Sequence, residues 1–177
     1  KDHRTAFQAF SLVLETHPQT HLVCTGATSD FRDPGYFAAL MDEARGLGID
    51  QRLHVLGLVP KAEQIALLRG ALALVQPTLS EGGPGGGAAF DAVSLGVPVI
   101  LSDIAVNREI DEPMVSYFAV GNAAELATQM RLALTGPAPA RAAPEALLAV
   151  GRERRRRCGD VLLQAIDAAV SAHGRRA

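Results

Sequence analysis

The chain has no tryptophan, only two cysteines in 177 residues, and a formal net charge of −2. Each shortage excludes something. Cys24 lies in an apolar strand-like run and Cys158 follows a run of arginines. Neither belongs to a CxxC pair, so a disulfide framework and a zinc site are both disfavoured and a reducing cytoplasm is the expected compartment. The near-neutral, mildly acidic balance gives no reason to expect nucleic acid as a partner. No apolar run approaches the roughly 18 residues that span a bilayer, and no signal-peptide pattern is present. The first residue is Lys1 rather than methionine, and the expectation is a trimmed domain of something longer.

What is present is apolar residue, 48% of the chain, within the usual size of one domain. Residues 5–16 put Phe7, Phe10 and Leu14 on one helical face, and Pro18 closes that segment. His21–Gly26 reads as a short strand. A helix follows from Pro34, with Phe37, Leu40, Met41, Ala44 and Leu47 at helical spacing. Leu53–Leu56 is a strand, Lys61–Arg69 a short helix with Ile65 and Leu68 inward, and Leu72–Gln76 a strand stopped by Pro77. A helix over about 87–95 leads to a strand at Val97–Leu101 and another at Val115–Val120. Asn122 is placed to cap a helix from Ala123 to Leu134. A Pro/Ala loop, TGPAPARAAP, precedes a helix from Pro144, and a last helix is expected over about 160–172.

Strands alternating with helices, each strand an unbroken apolar run, predict an α/β fold. The expected form is a Rossmann-like, doubly wound, mostly parallel sheet with helices on both faces and a helical C-terminal appendage. The expected division is 1–135 for the sheet domain and 136–177 for the extension. In such sheets ligands bind outside the carboxyl ends of the strands. The loops after Gly26, Gly57, Gln76 and Leu101 should therefore line one crevice.

The stretch that stands out is LALVQPTLSEGGPGGGAAFDAVSLGVPVILSD, from Leu72 to Asp103. Gly82, Gly83, Gly85, Gly86 and Gly87 fall within six residues between a strand and a helix. Glycine lets a ligand approach the main chain closely, and a helix N-terminus offers free N–H groups to an anion. No Lys-Ser/Thr follows, so this is not a Walker loop. The GxGxxG register at a first strand is missing, which disfavours NAD. Glu81 opens the turn at a strand's carboxyl end, where a carboxylate can hold sugar hydroxyls. Asp91, in the following helix, could accept from a ribose diol. Each has a plainer alternative, a solvated or capping acid for Glu81 and an exposed helical one for Asp91, and the glycines between them favour the site. In the loop SDIAVNREI, Ser102, Asn107, Arg108 and Glu109 either line the crevice mouth or cap the next segment.

These residues resemble a known family. PTLSEG, DAVSLGVPVI and LSD are similar to the donor-binding region of retaining, family 4 type glycosyltransferases, which have the two-domain GT-B fold. The upstream run HVLGLVPKAEQIALLRGALALVQPT resembles the same family, and Lys1 in KDHR sits where members carry a lysine at the start of this domain's first helix. The resemblance extends to about Phe118. One departure matters. Nine residues separate Glu81 from Asp91, where the family has seven between two glutamates, and Asp is one methylene shorter.

The resemblance implies a donor-binding domain that lacks its first strand and its N-terminal acceptor domain. The whole enzyme would move a hexose from a nucleotide diphosphate sugar to a hydroxyl acceptor, a sugar or lipid-linked sugar, with retention; the fragment alone would be inactive. Glu81 would contact the transferred sugar. Gly82, Gly83 and Gly85 would face the diphosphate, Lys1 would pair with the phosphates, Asp91 would lie toward the ribose, and Leu58 and Val59 near the base. No cofactor or metal is expected, and the sequence shows neither a DxD-type pair nor a histidine cluster. His3, His17, His21, His54 and His173 are scattered, with His54 read as a structural strand residue and His3 the one beside Lys1. Arg152 and Arg154–Arg157 read as a solvated helix face, with attraction to an anionic membrane surface at the inner face as the sharper alternative. Two other functions remain open: a sugar-nucleotide epimerase of the same fold, for which no acid/base set is evident, and a non-catalytic nucleotide- or phosphate-binding module.

Overall fold

The computed structural model describes residues 1–83, 86–136 and 143–174. The chain divides into two compact units, Lys1–Ala140 and Arg141–Ala177. In the first unit the order is α1 (His3–Leu14), β1 (Leu22–Cys24), α2 (Tyr36–Gly46), β2 (Leu53–Val55), α3 (Lys61–Gly70), β3 (Leu74–Gln76), α4 (Gly86–Ser94), β4 (Val99–Ser102), β5 (Val115–Phe118) and α5 (Ala123–Thr135). Every expected element of this unit is present, with ends shifted by one or a few residues. Asn122 caps α5 as its position suggested, its side-chain oxygen accepting from the Glu125 amide at 3.0 Å.

β4 shows why the sheet needs helices on both sides. All four of its residues are buried. Ile100 belongs to one core with Phe7, Phe10 and Val13 of α1, Leu40 and Ala44 of α2, and Leu126, Ala127 and Met130 of α5. Val99 and Leu101 belong to another, with Ala89, Ala92 and Val93 of α4, and Leu68 of α3 packs against it. Successive strand residues point to opposite faces, so the alternation in one apolar run feeds two cores. Ile49, fully buried just after α2, is a core residue that the helical spacing of α2 does not reveal.

All pairings are parallel, as expected, but the sheet is in two parts: β1 pairs β2, and β3-β4-β5 form the other piece. Leu22 and Cys24 of β1, Leu53 of β2 and Val75 of β3 nevertheless pack against the same core. Burial also pushes the Cys24 thiol up to about 11, which keeps it protonated and unreactive.

In the second unit the expected separate last helix is a single helix, α6 (Pro144–Gly174), of 31 residues. It runs through Gly151 and Gly159, glycines that a helix tolerates at a cost of about 1 kcal/mol each relative to alanine. Within it Arg156 pairs with Glu153 at 2.8 Å and reaches Asp160 at 3.8 Å, spacings that bring side chains together on one helical face. No helix among the described residues is long and apolar enough to cross a membrane.

The split sheet makes a measurable prediction. The carbonyl of Cys24 and the amide of Gly26 bond toward β2, and the Leu74 amide bonds toward β4. By the alternation of a parallel ladder, the Val23 and Val75 amides face the other edges, where no strand among the described residues is paired. Amide hydrogen exchange at Val23 and Val75 should be faster than at Ile100, which lies in the central strand, by on the order of tenfold or more. Equal protection at all three would contradict the open edges.

Candidate functional site

The site is built where β3 ends. Pro77 stops the strand, and its carbonyl accepts from the Asp2 amide at 2.8 Å. Asp2 in turn caps α1, accepting from the Thr5 amide at 3.2 Å and the Thr5 hydroxyl at 2.6 Å. The start of α1 is thereby fixed to the carboxyl end of β3, and Lys1 is carried with it. The Lys1 ammonium pairs with Oε1 of Glu81. Two residues 80 positions apart, both named from the sequence, thus meet at one point.

A third residue joins them that sequence reasoning missed. Gln76, the last residue of β3 and almost wholly buried, donates from Nε2 to the same Oε1 at 3.2 Å. Its signal was available: a glutamine closing the otherwise apolar run LALV is a polar side chain entering a core, and it needs a partner. Among the described residues Oε2 of Glu81 has no partner. The Glu81 side chain is 15% exposed and that of Lys1 44%. Partial burial pushes the Lys1 ammonium below the usual lysine range, while the adjoining carboxylate favours its charged form.

The other expected site residues fall out as follows. Gly82 and Gly83 follow Glu81, and a Cβ on either would meet nothing within 4 Å. Among the described residues no packing therefore demands glycine at these two positions. Gly85 lies outside the described residues. Asp91 is not a lone acid in α4, for it pairs with Lys61, the first residue of α3. Lys61 is the second residue missed; its place beside Pro60, at the start of a helix leaving a strand's carboxyl end, was the available clue. Leu58 is 80% exposed, and the Val59 carbonyl accepts from the Gln64 side chain at 3.3 Å. The loop carrying both is tied to the end of β1 by the Gly26 amide on the Gly57 carbonyl at 2.8 Å.

The loop after β4 resolves to a structural part. Ser102, fully buried, accepts from the Thr78 amide at 3.0 Å and donates to the Thr78 carbonyl at 2.7 Å. Asn107, also fully buried, donates to the Ser102 carbonyl at 2.8 Å. Arg108 makes two bonds of 2.7 Å to Asp103, which holds that carboxyl below the usual range, and lies 4.2 Å over the Tyr117 ring. These residues clasp the ends of β3 and β4 rather than presenting free groups.

Of the histidines, His54 bonds His21 at 2.7 Å, and Arg52 reaches the other nitrogen of His21 at 2.9 Å, an exposed structural chain. His3 packs edge-on to Phe7, and its Nδ1 is buried without a partner; burial lowers its pKa. Among the described residues, no three His, Cys, Asp or Glu side chains come together in a way that could hold a metal ion.

Comparison with known proteins adds the following. The family model for glycosyl transferases group 1 matches residues 1–159. Among solved structures, the Anabaena protein HepE in complex with UDP and glucose superposes with a TM-score of 0.64 at 20% identity, over 74% of this chain and 35% of that one. The C-terminal domain of a glycosyl transferase group 1 family protein from Francisella tularensis gives 0.65 at 17% identity, over 76% of this chain and 69% of that one. Sucrose-phosphate synthase from Thermosynechococcus elongatus gives 0.65 at 22% identity, over 90% and 44%. The chain thus spans about a third of the Anabaena structure and under half of the synthase. These likenesses bear out the Rossmann-like α/β fold. No curated protein matches the sequence.

The Thr78–Ser102 clasp generates a stability prediction. Ser102→Ala leaves the buried Thr78 amide and carbonyl without their partner, at a cost of about 1–3 kcal/mol. Chemical denaturation should show that loss, whereas Ser102→Thr, which keeps the hydroxyl, should recover part of it.

Proposed function

We propose, from the premise that this chain belongs to the glycosyl transferases group 1 family, that it is the donor-binding domain of an enzyme moving a hexose from a nucleotide diphosphate sugar to a hydroxyl acceptor with retention. The observation that carries this reading is the meeting of Lys1 and Glu81 at the carboxyl end of β3, beside Gly82 and Gly83.

Each group has a chemical task in this proposal. Oε2 of Glu81, free of partners among the described residues, accepts a hydroxyl of the sugar. Gly82 and Gly83 leave open space in which a diphosphate can approach backbone amides closely, and the start of α4 adds its N-terminal polarity. The Lys1 ammonium offsets the negative charge that builds on the diphosphate as the glycosidic bond breaks, a stabilisation worth most where water is excluded. Lys1 serves that purpose without a metal. Asp91 offers a carboxylate to the ribose while Lys61 holds it, and the Leu58–Val59 loop borders the base. A second domain, outside these 177 residues, supplies the acceptor side, so the chain by itself binds donor without turning it over. The Anabaena structure that holds UDP and glucose supports a nucleotide sugar as the ligand class.

The two-part sheet supports the reading that the domain's first strand comes from outside these residues. A strand laid along the open edges of β1 and β3 would join the two pieces over the core they already share. In a longer chain that includes it, exchange at Val23 and Val75 should slow to that of Ile100; unchanged exchange there argues against the strand.

The Arg152–Arg157 stretch in α6 supports peripheral contact with an anionic membrane surface, which would suit a lipid-linked acceptor. Vesicle flotation with and without acidic lipid should show binding that falls when these arginines become glutamine. Equal binding in the variant removes the membrane from the proposal.

For the donor site itself, calorimetry with UDP, GDP and ADP and their sugar conjugates is decisive. Glu81→Ala should weaken the preferred conjugate by about tenfold or more and leave the bare nucleotide nearly unaffected. A conjugate affinity untouched by Glu81→Ala refutes the reading.

A further inference from the structure

Glu81 is held by more than an ion pair. Oε1 receives both the Lys1 ammonium and Nε2 of Gln76. Lys1 is a long, exposed side chain and a poor guide for orientation. Gln76 differs. It is 8% exposed, it closes a strand paired to β4, and the next residue is a proline with restricted backbone. Its amide is the more fixed of the two donors on Oε1.

Room for that amide comes from one residue. Gly86, the first residue of α4, has φ +62, a value that L side chains rarely adopt. A Cβ there would stand 2.9 Å from Nε2 of Gln76 and 3.9 Å from Oε1 of Glu81. Gly82 and Gly83 are different in kind, since a Cβ on either would meet nothing. Among the described glycines of the turn, Gly86 is thus the one that the chain's own packing requires. What it accommodates is the Gln76–Glu81 contact.

We propose that Gln76 is a positioning residue for Glu81. It fixes Oε1, presents Oε2 as the free acceptor for a sugar hydroxyl, and depends on the absent side chain at Gly86. This rests on the donor-site reading above and adds to it the means by which the carboxylate is aimed. The contact joins the end of β3 to the opening of the glycine turn, and the start of α4 at Gly86 lies against it. The orientation of the acid therefore depends on where α4 begins. A side chain at 86 would press on the amide of Gln76 and strain the backbone at its positive φ, so Gly86→Ala should shift the amide and lower stability, which a thermal melt of the variant measures beside the binding.

The test has two arms on the 177-residue chain. The first needs no ligand: the side-chain amide signals of Gln76 are followed by nuclear magnetic resonance across acid pH. They should move with the ionisation of one carboxyl, lose that response in Glu81→Gln, and be displaced in Gly86→Ala. The second arm is calorimetry with UDP-glucose, GDP-mannose and ADP-glucose and the corresponding nucleotides. Gln76→Leu should cut the preference for the conjugate over its bare nucleotide by about tenfold, leaving the nucleotide unchanged. Gly86→Ala should cut it similarly, and the double variant should lose no more than either alone, because both remove one contact. Losses that add, or that fall equally on nucleotide and conjugate, would mark Gln76 as merely structural and overturn the inference. So would an amide that ignores Glu81. A wild-type chain that prefers no conjugate overturns the donor reading and this inference with it, whereas a preference that survives Gln76→Leu overturns the inference alone.

Discussion

The burial of β4 on both faces is the constraint from which the rest of the fold follows. A strand whose four residues are all buried cannot meet water on either side, so helices must cover the sheet twice. α1, α2 and α5 take one face, and α4, with Leu68 of α3, takes the other. Parallel strands joined by such helices send their carboxyl ends one way within each piece of the sheet. The backbone leaving those ends has lost its ladder partners and must find others. The Thr78–Ser102 clasp, the Asp2–Pro77 bond and the Gly26–Gly57 bond are those other partners. They also carry Lys1 to the end of β3 and hold the loop of Leu58 and Val59 at the end of β1.

Seen this way, the proximity of Lys1 and Glu81 is a by-product of satisfying the main chain. Pro77 cannot donate a hydrogen bond, but its carbonyl can accept one, and the residue that uses it is the cap of α1. Once α1 is anchored there, Lys1 lies at the end of β3 and a carboxylate four residues beyond Pro77 is within its reach. The charge pair occupies a boundary between core and solvent, with Glu81 more enclosed than Lys1. A carboxylate there is screened less than an exposed one, so its orientation has consequences for whatever binds beside it.

The sequence made some of this legible and some not, for physical reasons. Apolar runs of strand length and helical spacing located every strand and α-helix of the first unit, because burial imposes those periods directly. Asn122 was readable as a cap because its chemistry is local. Glu81 and the glycine turn stood out as a candidate site by residue type and position after a strand, whereas Lys1 was named only through the family resemblance. Ile49 was not, since its burial depends on a turn after α2 that no period records. The break in the sheet was equally invisible: an apolar run shows that a strand is buried, not which strands lie beside it. The single long α6 reads from the sequence as two helices, one from Pro144 and a last one over about 160–172, and it runs through Gly151 and Gly159 without a break. Gln76 and Lys61 were missed because their partners lie 5 and 30 positions away, and only the folded backbone brings them together.

Asp91 shows how a spacing anomaly and a contact explain each other. Two residues more than the family pattern separate it from Glu81, and the side chain is shorter by a methylene. Either change alone would move a carboxylate out of place relative to the turn. In the structure the charge is not left to solvent: Lys61 reaches across from the start of α3 and pairs with it. That pairing ties α4 to the helix that follows the Leu58–Val59 loop, so the two borders of the glycine turn are held by different means. On the Glu81 side, a buried amide and an ammonium share one oxygen; on the Asp91 side, a single ammonium, itself 63% exposed, does the holding. An exposed ion pair is weak and easily exchanged for other donors, whereas a buried amide that loses its acceptor has no water to replace it. The Glu81 end of the turn is therefore the more firmly held one, and the Asp91 end rests on an exposed ion pair.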